Sequence, residues 1–136
     1  MKVGIAGYGV VGTTRYESIL KNTNYSVTAI SENNPHARKK IPKGIQIFED
    51  YQSLIALADI DVLFISLPNQ FASNATILSL QKGLHVFCEK PPARTLSELN
   101  DVRSIAEQYP ELKLMYGFNH RFHLSVEDAK SVIESN

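Results

Sequence analysis

The sequence contains one cysteine, Cys88, among its 136 residues. A single thiol cannot close an internal disulfide, which excludes the cystine-stabilised class of small secreted domains and favours a reducing compartment. The chain also lacks an excess of either charge, because 14 Lys and Arg residues balance 14 Asp and Glu residues. Without a net positive charge, no general attraction to nucleic acid or to anionic lipid is expected.

Long apolar segments are absent as well. The longest apolar runs, such as 62–65, are much shorter than the roughly 20 residues that a membrane-spanning helix needs. The first residues, MKVGIAGYG, contain no apolar region followed by a small-residue cleavage site, so we expect no signal peptide. These absences predict a cytoplasmic protein with neither a membrane nor a nucleic acid as its partner.

The sequence does contain enough apolar residues for one domain with a buried core. Hydrophobic residues make up 43% of the chain and charged residues 21%, a balance typical of globular proteins. Six short apolar runs recur, at 3–6, 26–30, 45–48, 62–65, 84–87 and 112–115. Because these runs are continuous rather than strictly alternating, they predict parallel strands covered on both faces.

Segments of helical period lie between some of these runs. Phe71, Ala75 and Leu78 recur at helical spacing, and residues 99–109 carry a second apolar stripe. Gly83 is placed to end the first helix, and residues 95–98 (Thr-Leu-Ser-Glu) match a capping box that begins the second. The alternation of strands and helices predicts an α/β, doubly wound, mainly parallel sheet of about six strands.

The C-terminal segment also has a helical pattern. Val126, Ala129 and Ile133 form one apolar stripe, and no seventh strand follows it. The stripe fits a helix folded back on its own domain, and it also fits a connector to a second domain, which the motifs described below favour.

A glycine-rich motif follows the first predicted strand directly and begins a helical segment. Its six residues match G-x-G-x-x-G. In such a loop the first glycine permits a tight turn, the second admits a pyrophosphate, and the third lets the helix pack on the strand. Free N–H groups at the helix start then face the phosphates. We therefore expect a dinucleotide to bind Gly7, Tyr8, Gly9, Val10, Val11 and Gly12.

A carboxylate stands where a dinucleotide site needs one. Glu32 follows the second strand, about 20 residues after the glycine motif, where an acidic side chain accepts hydrogen bonds from the adenosine ribose. A carboxylate repels a 2′-phosphate, so Glu32 favours NAD over NADP. Arg38 lies close enough in sequence to hold a phosphate instead, and a solvated turn with an incidental Glu32 is the plain structural alternative.

Residues 66–69 form a second cluster, which follows the fourth strand. Loops at the carboxyl ends of strands line the ligand crevice of a doubly wound sheet, so we expect Ser66, Leu67, Pro68 and Asn69 to border the cofactor. Pro68 is expected to fix the turn, and Asn69 to cap the helix that follows. A capped helix start without a ligand would show the same pattern.

A lysine follows the fifth strand at the same edge of the sheet. A lysine beside a cofactor loses part of its hydration and can exchange a proton with a reacting hydroxyl group, which makes Lys90 a catalytic candidate. Pro91 and Pro92 stiffen the backbone after it, and an X–Pro bond here can be cis. By spacing alone, residues 89–92 also fit a surface turn.

The segment after the sixth strand supplies further polar groups. Asn119, His120 and Arg121 can donate hydrogen bonds to a cofactor or a substrate. His120 and His123 lie three residues apart, but two histidines without a carboxylate or thiol partner do not predict a metal site. Cys88, at a buried strand end, is expected to be a packed thiol rather than a nucleophile.

Together these motifs resemble those of the Gfo/Idh/MocA family of NAD(P)-dependent oxidoreductases. The resemblance covers essentially the whole chain and rests on residues 7–12, 66–69, 83–91 and 117–122. Glu89-Lys90-Pro91, at the end of the fifth strand of a Rossmann domain, is the motif specific to this family. Two departures are Ala72, where the family often has histidine, and Leu124, where it commonly has proline.

The resemblance implies oxidation or reduction of a sugar, a sugar nucleotide or a cyclitol at a hydroxyl-bearing carbon. NAD is the expected cofactor, with NADP less favoured, and a small sugar-like molecule is the expected substrate. Lys90 would contact the substrate beside the nicotinamide and assist proton transfer. Glu89, Asn119 and Arg121 would border the same pocket.

The family also carries a second α/β domain, which lines the substrate pocket, supplies a histidine as the usual acid/base and often mediates oligomerisation. We therefore expect a dinucleotide-binding domain over 1–122 and a connector helix over 123–136, leading to a C-terminal domain that this chain lacks. A homo-oligomer would form through that missing domain, and this chain alone would bind cofactor without completing the reaction. A non-catalytic dinucleotide-binding sensor or interaction module is the alternative.

Overall fold

The computed structural model describes residues 1–135. Within them lie six strands: β1 (Lys2–Ala6), β2 (Ser26–Ser31), β3 (Gln46–Phe48), β4 (Val62–Ile65), β5 (His85–Cys88) and β6 (Leu114–Tyr116). The helices are α1 (Val10–Leu20), α2 (Pro35–Arg38), α3 (Tyr51–Leu57), α4 (Asn69–Gln81), α5 (Leu96–Ala106) and α6 (Leu124–Glu134), with a 3₁₀ helix at Asn119–Phe122 before α6. Asn136, the last residue of the predicted connector, lies outside the described residues.

The strands form one parallel sheet in the order β3-β2-β1-β4-β5-β6. From β1 the chain winds outward in one direction to β3, and from β4 it winds outward in the other direction to β6. The point of reversal lies between β1 and β4. This arrangement confirms the predicted doubly wound α/β sheet of six strands.

Apolar side chains cover both faces of the sheet. Val3 and Ile5 of β1 pack on one face with Ile19 of α1. Leu63 of β4 packs on the opposite face with Leu54 of α3, in the cluster that α4 also joins. Strands buried on both sides cannot alternate apolar and polar residues, which is the physical reason for the continuous apolar runs in the sequence.

The ends of α4 and α5 match most of the predicted signals. Gly83 has φ +85°, its N–H donates to Leu80 O at 2.9 Å, and the N–H of Leu84 donates to Ser79 O at 2.9 Å, which is a Schellman end. Thr95 Oγ1 accepts from the N–H of Glu98 at 3.2 Å and so caps α5.

The reciprocal half of the predicted capping box is displaced by one residue. The Glu98 carboxylate accepts from the backbone N–H of Arg94 at 2.9 Å rather than from that of Thr95. The Arg94 side chain binds the same carboxylate and holds it one residue further back. These contacts lower the pKa of Glu98, chiefly through the Arg94 hydrogen bond.

Two helices were not predicted from the sequence. Asn34 precedes α2 as its N-cap, and its side chain accepts from the N–H of His36 at 2.9 Å. Asp50 caps α3 by accepting from the N–H of Ser53 at 2.6 Å. Both helices are too short to show an apolar repeat, so only their caps signal them.

The α6 helix confirms the predicted helical tail but buries none of its described side chains. Leu124 and Ile133 are each 76% exposed, and α6 lies against the 3₁₀ helix. Its apolar stripe is therefore not part of the core on either face of the sheet. Neither α6 nor any other helix of residues 1–135 has the length and apolar character needed to cross a membrane.

Candidate functional site

A cavity of about 490 Å³ opens at the carboxyl ends of the strands, where the winding of the sheet reverses. The β1–α1 loop and the β4–α4 loop lead to helices on opposite faces, so a crevice forms between them. Six residues predicted to bind the cofactor line this cavity: Gly7, Gly9, Glu32, Ser66, Leu67 and Pro68. Five more predicted residues belong to the same two loops or helix starts: Tyr8, Val10, Val11, Gly12 and Asn69. The remaining predicted residues follow β5 and β6 and do not line the cavity: Glu89, Lys90, Asn119 and Arg121.

The glycine motif adopts the backbone that its spacing requires. Gly7 has φ +90°, and a Cβ there would lie 2.6 Å from Ser66 O. A Cβ at Gly12 would lie 1.9 Å from Gly7 O, so α1 approaches β1 too closely for any side chain. Gly9 differs, because no atom lies within 4 Å of its Cβ position. Gly7 and Gly12 are therefore needed by the fold, and Gly9 leaves open space beside the loop.

The start of α1 offers unpaired N–H groups beside that open space. Gly9 is the N-cap residue, and no side chain caps the helix. The first N–H groups of a helix have no partner within it, and the helix dipole makes this end positive. No acidic residue stands in the first turn of α1 to neutralise it. This backbone can therefore bind an anion such as a pyrophosphate.

Glu32 is held in place by two backbone N–H groups. Its Oε2 accepts from Tyr8 N at 2.8 Å, and its Oε1 accepts from Asn34 N at 2.8 Å. These bonds join the glycine loop to the turn after β2. The carboxylate is thus held by the backbone at the wall of the cavity.

The β4–α4 loop brings an unpaired hydroxyl to the same cavity. Ser66 Oγ is buried and has no hydrogen-bond partner in the described structure, although the backbone N–H of Ser66 donates to Ala6 O at 2.8 Å. The expectation that Asn69 caps α4 was wrong. Asn69 is the first residue of the helix, and Pro68, which has no capping side chain, holds the N-cap position.

The outer wall of the cavity is aromatic, and no motif in the sequence indicated it. Tyr51 and Phe71 line the cavity with their ring centroids 6.2 Å apart. The hydroxyl of Tyr51 donates to Asn74 Oδ1 at 3.0 Å, which ties α3 to α4. Only the position of Tyr51 shortly after β3, at the carboxyl edge of the sheet, could have drawn attention to it.

Glu89 is paired with a residue of α1 that the sequence analysis also missed. Arg15 Nε donates to Glu89 Oε1 at 2.5 Å, and the Arg15 guanidinium lies 5.0 Å from the centre of the Phe87 ring. A Cβ at Gly117 would lie 2.8 Å from Glu89 Oε2. Glu89 is therefore enclosed between α1 and the end of β6, and its side chain is only 12% exposed.

Lys90 stands next to this enclosed carboxylate but is itself exposed. The following Lys90–Pro91 bond is cis, as the sequence analysis considered. No hydrogen bond or ion pair joins the Lys90 amine to another side chain in residues 1–135. The amine is thus free to meet a ligand at the end of β5.

Asn119 and Arg121 lie in the 3₁₀ helix after β6, and both are exposed. The Arg121 guanidinium stacks on the ring of Phe122 at 5.6 Å. His120 and His123 stack on each other with centroids 4.9 Å apart. Among the described residues, no group of three or more His, Cys, Asp or Glu side chains could hold a metal ion.

Cys88 is the packed thiol that the sequence analysis expected. It is fully buried, and burial raises its pKa to about 11. The nearby Tyr116 has its pKa raised to about 12, also by burial. A thiol with this pKa stays protonated near neutral pH and is a poor nucleophile.

Comparison with known proteins assigns the chain to a family. The Gfo/Idh/MocA model, described as an oxidoreductase family with an NAD-binding Rossmann fold, matches residues 1–118. The chain belongs to this family. The resemblance noted from the four sequence motifs is thereby confirmed.

The family's relatives include sugar and cyclitol dehydrogenases. The chain is 31% identical over 87 residues to D-glucoside 3-dehydrogenase of Escherichia coli K12, covering 64% of this chain and 24% of that protein. It is 26% identical over 138 residues to D-xylose 1-dehydrogenase (NADP(+)) 2 of Haloferax volcanii, covering 99% and 42%. The name of this relative specifies NADP, whereas the family description specifies NAD.

A solved structure shows the same fold with ligands. Scyllo-inositol dehydrogenase from Lactobacillus casei, with bound NAD(H) and scyllo-inositol, matches with a TM-score of 0.90 and 30% identity. The match covers 99% of this chain and 41% of that one. The chain therefore spans about two-fifths of the length of such relatives, and it corresponds to their NAD-binding Rossmann domain.

Substitutions at Gly12 and Gly9 are expected to change the free energy of unfolding by different amounts. Gly12→Ala is expected to lower the free energy of unfolding by more than about 2 kcal/mol, because its methyl group would meet Gly7 O at 1.9 Å. Gly9→Ala is expected to change it by less than about 1 kcal/mol, since its Cβ position is open and only the N-cap preference is lost. Chemical denaturation of both variants measures the difference, and equal losses would contradict the close packing of α1 on β1.

Proposed function

We propose that this chain is the cofactor-binding part of a dehydrogenase that moves a hydride between NAD and a secondary alcohol. The substrate would be a sugar, a sugar nucleotide or a cyclitol. The observation that carries the proposal is the cavity at the switch point of the sheet, which joins an uncapped helix N-terminus to a fixed carboxylate. The names of the relatives, which include glucoside, xylose and inositol dehydrogenases, support the substrate class.

The residues around the cavity fit a dinucleotide. The open space at Gly9 and the free N–H groups of Val10 and Val11 suit the pyrophosphate. Glu32 would accept hydrogen bonds from the adenosine ribose, and the aromatic wall of Tyr51 and Phe71 suits a flat base.

The neighbouring loops would hold the rest of the cofactor. The buried hydroxyl of Ser66, which lacks a partner, would donate to it, and residues 67–69 would pass along its nicotinamide half. Tyr8 would act through its backbone N–H, which donates to Glu32, and Gly12 would act by allowing α1 to pack closely against Gly7. When bound, the nicotinamide supplies the site that gives or receives the hydride.

The chemical step would take place at the end of β5. Lys90 would contact the substrate hydroxyl and assist its proton transfer, because its amine is exposed and has no protein partner among residues 1–135. Glu89 would border this pocket while paired with Arg15. Asn119 and Arg121 would donate hydrogen bonds from the 3₁₀ helix beside it.

The proposal also covers the division of the protein into domains and its location in the cell. Residues 1–122 would form the dinucleotide-binding domain, and residues 123–136 would connect to a second domain that completes the substrate pocket and mediates homo-oligomer formation. The apolar stripe of α6 supports a connector, because this helix buries none of its described side chains and Ile133 is 76% exposed. We place the protein in the cytoplasm, on the basis of its single buried thiol.

Calorimetric titration of this chain tests the cofactor half of the proposal. NAD is expected to bind with one site per chain, and Gly9→Ala is expected to weaken binding at least about tenfold because its methyl group occupies the approach of the pyrophosphate. Ser97→Ala is a control variant, because Ser97 is an exposed residue of α5 that lies outside the cavity. Absence of NAD binding at millimolar concentration would refute the proposal.

A Lys90 variant tests the chemical half. In the whole protein, the two-domain enzyme that the proposal implies, Lys90→Met is expected to lower kcat at least about 100-fold, while the Kd for NAD changes less than about threefold. The measurement is NADH formation with a panel of inositols and aldoses. Lys82→Met is a suitable control because Lys82 lies at the opposite end of α4 from the cavity. An unchanged rate in Lys90→Met would remove Lys90 from the mechanism.

A further inference from the structure

We infer that Glu49 helps this cavity select NAD over NADP by keeping the guanidinium of Arg38 occupied. The sequence left open whether Arg38 could hold a 2′-phosphate. The structure pairs Arg38 Nη1 with Glu49 Oε1 at 2.7 Å. The inference rests on the proposed function, because it concerns the ribose end of the same dinucleotide site.

Strand register places this ion pair beside the ribose acceptor. Ser31 of β2 is paired with Phe48 of β3, so Glu32 and Glu49 follow at adjacent strand ends. The N–H of Glu32 donates to Phe48 O at 3.0 Å, which keeps the two ends together. Both glutamates line the cavity. Glu49 therefore lies next to the carboxylate that would bind the 2′-hydroxyl group of the ribose.

The position of Arg38 is fixed by the same turn that holds Glu32. Asn34 donates its N–H to Glu32 Oε1 at 2.8 Å, and the N–H of Arg38 donates to Asn34 O at 3.0 Å, one helical turn later. The Arg38 side chain is 26% exposed, against 80% for Glu49. The arginine is thus partly enclosed beside Glu49, which lines the cavity, and the glutamate is the more solvated partner.

The charges at this rim disfavour a phosphate. A phosphate monoester carries a charge of roughly −1.5 to −2 at pH 7, and it would face both carboxylates. A guanidinium can bind a phosphate bidentately, but one nitrogen of this one, Arg38 Nη1, already donates to Glu49 Oε1. The Glu32 carboxylate would repel the 2′-phosphate of NADP, and Glu49, by pairing with Arg38, would keep this arginine from binding that phosphate. NAD carries a hydroxyl group at the 2′ position, so neither effect weakens its binding.

Removing the Glu49 charge tests the inference on this chain alone. We expect Glu49→Gln to tighten NADP binding about tenfold and to change NAD binding less than about twofold, because a freed guanidinium can form charge-assisted bonds to the phosphate. Because the Glu49 side chain is 80% exposed, its ion pair contributes little to folding, and the variant should keep the parent's thermal stability. Calorimetric Kd values for both dinucleotides at low ionic strength provide the readout, since salt screens exposed charges.

Two further variants assign the gain to Arg38. In the double variant Arg38→Ala/Glu49→Gln the gain in NADP affinity should disappear. Glu107→Gln is the matched control, because it removes the same charge from an exposed Arg103–Glu107 pair on α5 that lies outside the cavity. It should leave both affinities unchanged.

Each result has a distinct meaning. If the parent binds NAD but Glu49→Gln shows no gain for NADP, the inference is wrong and the proposed function stands. A gain that persists without Arg38, or that Glu107→Gln reproduces, overturns it as well, since the cause would then be net charge. A parent that binds NADP more tightly than NAD also contradicts it, whereas a parent that binds neither overturns the proposed function itself.

Discussion

The close approach of α1 to the end of β1 determines the geometry of the whole cavity edge. A side chain at Gly12 would stand 1.9 Å from Gly7 O, so the helix can begin at this point only with glycine there. This contact leaves the uncapped N-terminus of α1 at the reversal of the sheet. Tyr8 N in the same loop donates to Glu32 Oε2 at 2.8 Å, so a hydrogen bond links the anion-binding backbone to the carboxylate.

The same helix links the cavity to the end of β5. Arg15 lies one turn along α1 from the glycine loop and pairs with Glu89, the residue before Lys90. The pair is enclosed by the Phe87 ring and by the close backbone at Gly117. One helix therefore contacts the dinucleotide cavity with its N-terminus and the lysine loop with a side chain. Partly buried ion pairs with such enclosure cost much more to break than exposed ones, which suits a role in positioning.

Local patterns in the sequence predicted the fold and the residues whose role depends on the backbone. The continuous apolar runs predicted parallel strands, and the glycine spacing predicted the β1–α1 turn, because both follow from short-range geometry. Contacts between distant residues could not be predicted in this way. Arg15 and Glu89 are 74 residues apart, and the pairing of Arg38 with Glu49 depends on the register of β2 and β3. Local patterns also locate helix ends only to within a residue or so. Asn69 was expected to cap α4, but the helix begins one residue earlier, so Asn69 is its first helical residue.

The proposed binding mode places the dinucleotide in the switch-point cavity, across the N-terminus of α1 and Glu32. A map of backbone amide shifts, recorded when NAD is added to the labelled chain, tests this placement. The largest changes should fall on Gly9, Val10, Glu32 and Ser66, around the cavity. Changes confined to the apolar groove between α5 and β6, near Leu96 and Tyr116, with the glycine loop unaffected, would contradict the claim.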